Sequence, residues 1–185
     1  MTYNIAVLVG SLRRGSITRM VAHALTRLAP PTLHLHEIEL GDLAMYNADL
    51  EDEPPEPWRR FRDEVRAADG VLFVTPEYNR SVPGVLKNAI DVGSRPSGAN
   101  AWNGKPGAVV SVTSGALGAF GANHHLRQSL VYVNVPVMAQ PEAYIGQAST
   151  LVDEQGIVLR DDTRVFFAAF MNAFAAWVAR HAPSA

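Results

Sequence analysis

Short apolar runs and amphipathic stretches alternate from the first residues onward. "YNIAVLV", Tyr3 to Val9, is β-rich, stops at Gly10 and reads as a buried strand. Ser16 predicts a helix N-cap, and Met20, Val21, Ala24, Leu25 and Leu28 keep helical spacing until Pro30-Pro31 ends it. "TLHLHEI" sets Leu33 and Leu35 against His34 and His36, the alternation of a half-exposed edge strand. Asn47 to Pro57 is rich in Pro and acid and predicts a solvated surface loop, Glu51 to Glu56 included. Beyond it Trp58, Phe61 and Val65 mark one face of a second helix.

The same rhythm continues. "GVLFVT" is a buried strand, and Val85 to Ser94 predicts a helix. The strand "GAVVSVT", a helix through Leu126 and Leu130, and a fifth strand "VPVMA" follow. A last helix over about Asp162 to Arg180 carries Phe166, Phe167, Phe170, Phe174 and Trp177 on a broad core-facing surface. Strands alternating with helices in this way argue for one α/β domain over residues 1–185, with a parallel sheet covered on both faces. Ligands of such sheets sit beyond the carboxyl ends of the strands.

Composition narrows the function classes. At 48% hydrophobic and 18% charged, the chain has a folding composition. A formal charge of −2 offers no basic field for nucleic acid. No apolar stretch approaches the ~20 residues needed to span a bilayer, so no membrane partner is expected. The absence of cysteine removes disulfides, thiolate nucleophiles and Cys-based metal sites. "MTYNIAVLVGSLRR" carries no basic leader before its apolar run, and a cytoplasmic location is the expectation.

Three loops at predicted strand ends hold the candidate chemistry. "GSLRRGS" has the glycine separation of a nucleotide P-loop, but Ser16-Ile17 stands where Lys-Ser/Thr is required. It does not match G-x-G-x-x-G either. A turn, a helix N-terminus, the hydroxyls of Ser11, Ser16 and Thr18, and the Arg13 cation suit one phosphate group held without metal. A helix cap with solvated arginines fits the same residues. In "TPEYNRSVPG", Pro76, Glu77, Tyr78 and Asn79 place a kink, an acid, an aromatic and an amide where a flat ring system could lie. "VTSGALGAFG" has glycines that allow close backbone approach to a ligand, a weak signal alone.

"GSLRRGS", "TPEYNRSVPGVLKNAID", "GKPGAVVSVTSGALG" and "HHLRQSL", in this order, resemble the NADPH-dependent FMN reductase family, most closely its chromate and quinone reductases. The resemblance implies a flavodoxin-like three-layer sandwich with a five-stranded parallel sheet in the order 2-1-3-4-5. It implies FMN as cofactor and NADPH or NADH as co-substrate. The implied acceptors are small molecules: quinones, with chromate, azo compounds and free flavin as others. By the resemblance Ser11, Arg13, Ser16 and Thr18 hold the FMN phosphate. Pro76, Glu77, Tyr78 and Asn79 line the isoalloxazine, and Thr113, Ser114 and Gly115 close over it, their backbone N–H groups facing its N1–O2 edge. Donor and acceptor are expected to take turns at one place on the flavin, which carries the chemistry and leaves no protein residue catalytic. A flavodoxin-type electron carrier without nicotinamide activity is the alternative.

The resemblance also implies a homo-oligomer, a dimer or a dimer of dimers. Arg95 and Glu142, both expected at the carboxyl edge of the sheet, are candidates for a polar network between subunits. The family's loop commonly runs Gly-Gly-Ala-Arg, whereas Gly118 is followed here by Ala119, Phe120 and Gly121, so the arginine is missing. His124 replaces the family's tyrosine beside His125. No metal site is expected from these histidines or from His34 and His36, since no carboxylate or cysteine completes a set. Glu77 is read as a structural or flavin-edge residue, because hydride transfer requires no general base.

Overall fold

The strands β1 (Tyr3–Val9), β2 (Leu33–Glu37), β3 (Gly70–Thr75), β4 (Gly107–Val112) and β5 (Ala143–Ile145) form one sheet in a computed structural model of the chain. Every pairing is parallel and the order is β2-β1-β3-β4-β5. The structure describes residues 1–181, and residues 182–185 of the expected domain lie outside the described residues. Five helices cover the sheet: α1 (Ile17–Arg27), α2 (Glu56–Ala67), α3 (Gly84–Gly93), α4 (Phe120–Tyr132) and α5 (Asp161–His181). This is the flavodoxin-like three-layer arrangement that the resemblance implied.

Side-chain alternation along the central strands divides the core in two. Ile5, Val7, Leu72 and Val74 pack with Val21 and Leu25 of α1 and with Phe167, Phe170 and Phe174 of α5. Ala6, Leu8, Val71 and Phe73 face the other way, onto Trp58 and Phe61 of α2, Leu86 and Ile90 of α3, and Leu126 and Leu130 of α4. Both faces of β3 and β4 are fully buried, which explains their unbroken apolar sequences.

Two expectations need correction. The fifth strand is Ala143–Ile145, against Val110 to Val112, instead of "VPVMA". Val137 makes one parallel bridge to Gly107, at the beginning of β4. Pro136 has no N–H for a ladder, and its carbonyl is taken by Gly107 N–H and by the Trp177 indole. The chain leaves the edge after Met138 and returns only at Ala143. Glu142 therefore precedes the last strand instead of following it.

Nor is the acidic loop wholly solvated. The Glu51 carboxylate accepts from the Tyr46 hydroxyl at 2.6 Å and from Arg95 Nε at 2.8 Å. These bonds, the Tyr46 hydroxyl first, hold Glu51 below the usual carboxylate range against an opposing contribution from burial. Tyr46 also stacks on the buried Trp58.

The α2–α3 layer is packed to contact at Trp102, fully buried, its indole N–H donating to Ile90 O at 3.0 Å. A Cβ on Gly93 would lie 2.6 Å from that indole. Gly93→Ala should therefore lower stability by about 1–3 kcal/mol, the scale of an overpacked core. The measurement is urea unfolding, with a lower midpoint at unchanged slope. An unshifted midpoint would show that Trp102 yields freely.

Candidate functional site

The first loop gains its character from the start of α1. Ser16 is the N-cap, and its hydroxyl accepts from Arg19 N–H at a long 3.4 Å. Ile17 and Thr18, the first two helical residues, find no acceptor for their N–H groups among the described residues. Thr18 is only 1% exposed, so an unmet N–H there is costly, about 1–3 kcal/mol. The first turn of α1 holds no acid. Ser11 and Ser16 are buried beside it. Arg13 folds back to donate to Gly15 O at 3.1 Å through one nitrogen, which leaves other donors of its fork for a ligand.

These groups line a cavity of about 240 Å³ at the carboxyl edge of the sheet. Ser11, Arg13, Ser16 and Thr18 meet Pro76, Glu77, Tyr78, Thr113 and Ser114 there, with Ile17 and Val112 completing the wall. Nine of the expected binding residues thus share one pocket. Asn79 and Gly115 are exposed beside it and do not line it. The first two loops can approach because residue 10 is glycine. A Cβ there would sit 3.1 Å from the Pro76 ring and 3.3 Å from Leu86 and Thr75 side-chain atoms.

The second loop is a tight hairpin. Tyr78 and Ser81 exchange both backbone hydrogen bonds, at 3.1 and 3.0 Å, around Asn79 and Arg80. Both turn residues have left-handed backbones, φ 52° and 65°. Two non-glycine residues in that region store strain, as binding loops often do. Asn79 is exposed on this turn, beside the cavity wall.

Glu77 has a structural task that sequence reasoning placed only in outline. The first residue before α4, Ala119, offers no side-chain cap. One Glu77 oxygen instead accepts Ala122 N–H at 3.1 Å, so the carboxylate sits at the positive end of the helix, and the other oxygen takes Arg80 at 3.1 Å. Gly121 makes this possible, since a Cβ there would be 2.9 Å from Arg80 O and 3.0 Å from Glu77 Oε2. On this backbone the family's arginine has no room.

The third loop is tied internally. Thr113 N–H donates to Ile145 O at 2.9 Å, and Gly115 N–H donates to the Thr113 hydroxyl at 3.1 Å. Two of the three N–H groups expected to face a ligand edge are therefore committed, which leaves Ser114. Gly118 holds a left-handed backbone at φ 60° and lies so close to Tyr144 that a Cβ would approach within 2.7 Å. Beneath the loop is a buried polar chain without a sequence signature: Ser111 Oγ donates to Gly118 O at 2.6 Å, Asn123 donates to Ser111 Oγ, and Arg127 donates to Asn123.

Arg95 and Glu142 do not meet within the chain. Arg95 follows the far end of α3 and pairs with Glu51, while Glu142 accepts from the Tyr144 hydroxyl at 2.7 Å. His124 and His125 diverge, to the Tyr144 hydroxyl and to Ser81 Oγ. Among the described residues no helix is long and apolar enough to cross a membrane.

Comparison with known proteins agrees with this geometry. A family model described as NADPH-dependent FMN reductase matches residues 3–150. A quinone reductase from Pseudomonas putida is 62% identical over 177 residues, 95% of each chain. A 2-hydroxy-1,4-benzoquinone reductase from a Burkholderia species is 46% identical over 96% of this chain and 97% of its own. The solved structure of the flavoenzyme NAD(P)H:(acceptor) oxidoreductase FerB from Paracoccus denitrificans superposes with a TM-score of 0.94. It is 40% identical, over 98% of this chain and 100% of that one.

The buried chain under the third loop generates a prediction. Asn123→Leu keeps the volume but takes one acceptor from Arg127, which keeps its bond to Met138 O, and removes a donor from Ser111. It should cost about 1–3 kcal/mol and accelerate amide exchange over residues 113–121 more than over β1 and β3. Wild-type exchange in that loop would show that Asn123 does not hold it.

Proposed function

The chain belongs to the NADPH-dependent FMN reductase family, and from that premise we propose an NAD(P)H-dependent oxidoreductase that binds FMN and delivers electrons to quinones or similar acceptors. The observation that carries the proposal is the pocket itself. It joins an unpaired helix N-terminus with three hydroxyls and an arginine at one end and a proline, a tyrosine and the Thr113–Ser114 segment at the other. The phosphate end fits a dianion because the N–H groups of Ile17 and Thr18 otherwise lack acceptors among the described residues. The Pro76–Tyr78 and Thr113–Ser114 walls suit a flat ring.

When bound, FMN supplies the hydride chemistry between nicotinamide and acceptor. The protein's part is to bind, orient and exclude water. Ser11, Ser16, Thr18 and Arg13 anchor the phosphate. Pro76 and Tyr78 give the ring end an apolar surface. Glu77 fixes that loop to α4, and Ser114 N–H is the backbone donor still open toward the ring.

Large exposed apolar side chains surround this edge. Leu12, Met45, Tyr78, Leu117 and Phe120 all stand on segments that follow strand ends. Such a rim favours planar apolar acceptors over hydrated ions. A pure electron carrier is the weaker reading, because the similar proteins bear reductase names and the chain's charge is near neutral.

Self-association is part of the proposal. The groove between α3 and α4, about 530 Å³, is bordered by Val82, Ile90 and the 92%-exposed Tyr132 and suits a second copy. A contact between Arg95 and Glu142 across copies is its weaker arm, since Arg95 would have to leave Glu51. A cytoplasmic site of action follows from the donor, reduced nicotinamide being an intracellular pool.

Two measurements test the function. Arg13→Ala should weaken FMN binding by about 1.5–3 kcal/mol, the scale of a charge-assisted hydrogen bond, in a fluorescence titration of apoprotein. Unchanged affinity would remove Arg13 from the site. Initial rates with NAD(P)H and a benzoquinone should give parallel double-reciprocal lines, because donor and acceptor share one place. Intersecting lines would require both to be bound together, and the shared site would be abandoned.

A further inference from the structure

The Pro76–Glu77 peptide in the cavity wall is held from behind. Thr75, the last residue of β3, is fully buried, and its hydroxyl donates to Pro76 O at 2.7 Å. The hydroxyl has room because residue 10 is glycine, where a Cβ would sit 3.3 Å from Thr75 Oγ1. Pro76 has no N–H, so its carbonyl is the one polar group its backbone offers. That carbonyl is turned toward Thr75, although Pro76 itself lines the cavity.

Thr75 keeps the alternation of Val71 and Phe73, whose side chains pack in the α2–α3 layer. The start of α1, which forms the phosphate end of the cavity, belongs to the other side of the sheet. In a trans peptide the C=O and N–H point in opposite directions. A carbonyl drawn to the Thr75 side therefore turns the Glu77 N–H toward the α1 side, where the cavity lies. That N–H finds no acceptor among the described residues. With Ser114 N–H it makes a second open donor in the cavity wall.

We propose that Thr75 is a positioning residue: its hydroxyl locks the Pro76–Glu77 peptide with the N–H toward the flavin ring, and this orientation disfavours neutral one-electron-reduced FMN. The proposal rests on the FMN-reductase reading. An N–H bonds only to acceptors, and the oxidised ring presents N1, N5 and two carbonyl oxygens as acceptors. The neutral one-electron form carries a hydrogen on N5, which a backbone carbonyl stabilises and an N–H does not. Hydride transfer takes two electrons and a proton from NAD(P)H. A quinone receives both electrons and, with that proton and one more from water, becomes the hydroquinone. Suppressing the one-electron form keeps the electron pair together, whereas one-electron carriage gains from the opposite peptide orientation.

The experiment is an anaerobic dithionite titration of FMN-loaded wild type, Thr75→Val and Thr75→Ser, following the long-wavelength absorbance of the neutral one-electron form. Valine keeps the branched shape and cannot donate, while serine keeps the hydroxyl. Wild type and Thr75→Ser should show little of this form at half reduction. Thr75→Val should show about fivefold more, the change that ~1 kcal/mol makes in an equilibrium. A Thr75→Val protein that binds FMN more weakly yet accumulates no more of the form would make Thr75 merely structural and overturn the lock. Thr75→Ser matching Thr75→Val would overturn it too, because the hydroxyl would not be the agent. So would wild type in which the form is the main half-reduced species, a measurement that stands even if Thr75→Val fails to fold. If wild-type apoprotein binds no FMN in a fluorescence titration, the FMN reading fails and takes the lock with it. Bound FMN with the wrong titration overturns the lock alone.

Discussion

In a parallel sheet every strand delivers its chain to the same edge, and every returning helix begins there. Each helix brings N–H groups that have no partner within the helix, and a buried group of this kind costs about 1–3 kcal/mol. The molecule answers this demand differently at α1 and α4. Ala119 cannot cap α4, so Glu77 is drawn across from the neighbouring loop. At α1 the Ser16 cap is long, and Ile17 and Thr18 remain open among the described residues. One helix start is closed by the protein's own carboxylate, and the other has open N–H groups that suit an anion. An anion bound at α1 would add stability by mass action on the folded state.

The same constraint gives the glycines their meaning. Gly10 lets the first loop touch Pro76, and Gly121 lets Glu77 reach the α4 backbone. Gly118 lets the third loop press against Tyr144. These close approaches draw three loops, each from a different strand, together at one edge. The arginine that the family commonly carries would occupy the space that Glu77 and the Arg80 carbonyl fill here.

Much of this was legible from residues alone, for identifiable reasons. β1, β3 and β4 are buried on both faces, so their apolar runs admitted one reading. The phosphate loop and the Pro76–Tyr78 loop follow those strands directly, and their position at the pocket came with them. The fifth strand misled because "VPVMA" is apolar yet has Pro136 in its interior, and three residues suffice to pair with β4. Asn79, expected at the ring, is exposed on the two-residue turn it shares with Arg80 and is not in the pocket wall. The Glu51–Tyr46–Arg95 cluster brings Arg95 to residues 44 and 49 positions away, and no local pattern announces such a contact. The Ser111–Asn123–Arg127 chain is hidden by its ordinary residue types, although its members are only 12 and 4 positions apart.

The exposed apolar rim is the feature least explained by folding. Leu12, Met45, Tyr78, Leu117 and Phe120 contribute little to either core cluster, and apolar surface facing water favours association. Their common location turns the cost into information. Side chains that neither pack the core nor cover a helix gather where the polar groups of the pocket converge. A polar anchor at one end and an apolar surround at the other is the division of labour expected when a ligand must be held fixed while smaller partners exchange beside it. Loops in close mutual contact suit the first task, and exposed apolar side chains suit the second. The edge of this sheet has both because the parallel fold brings them to one place.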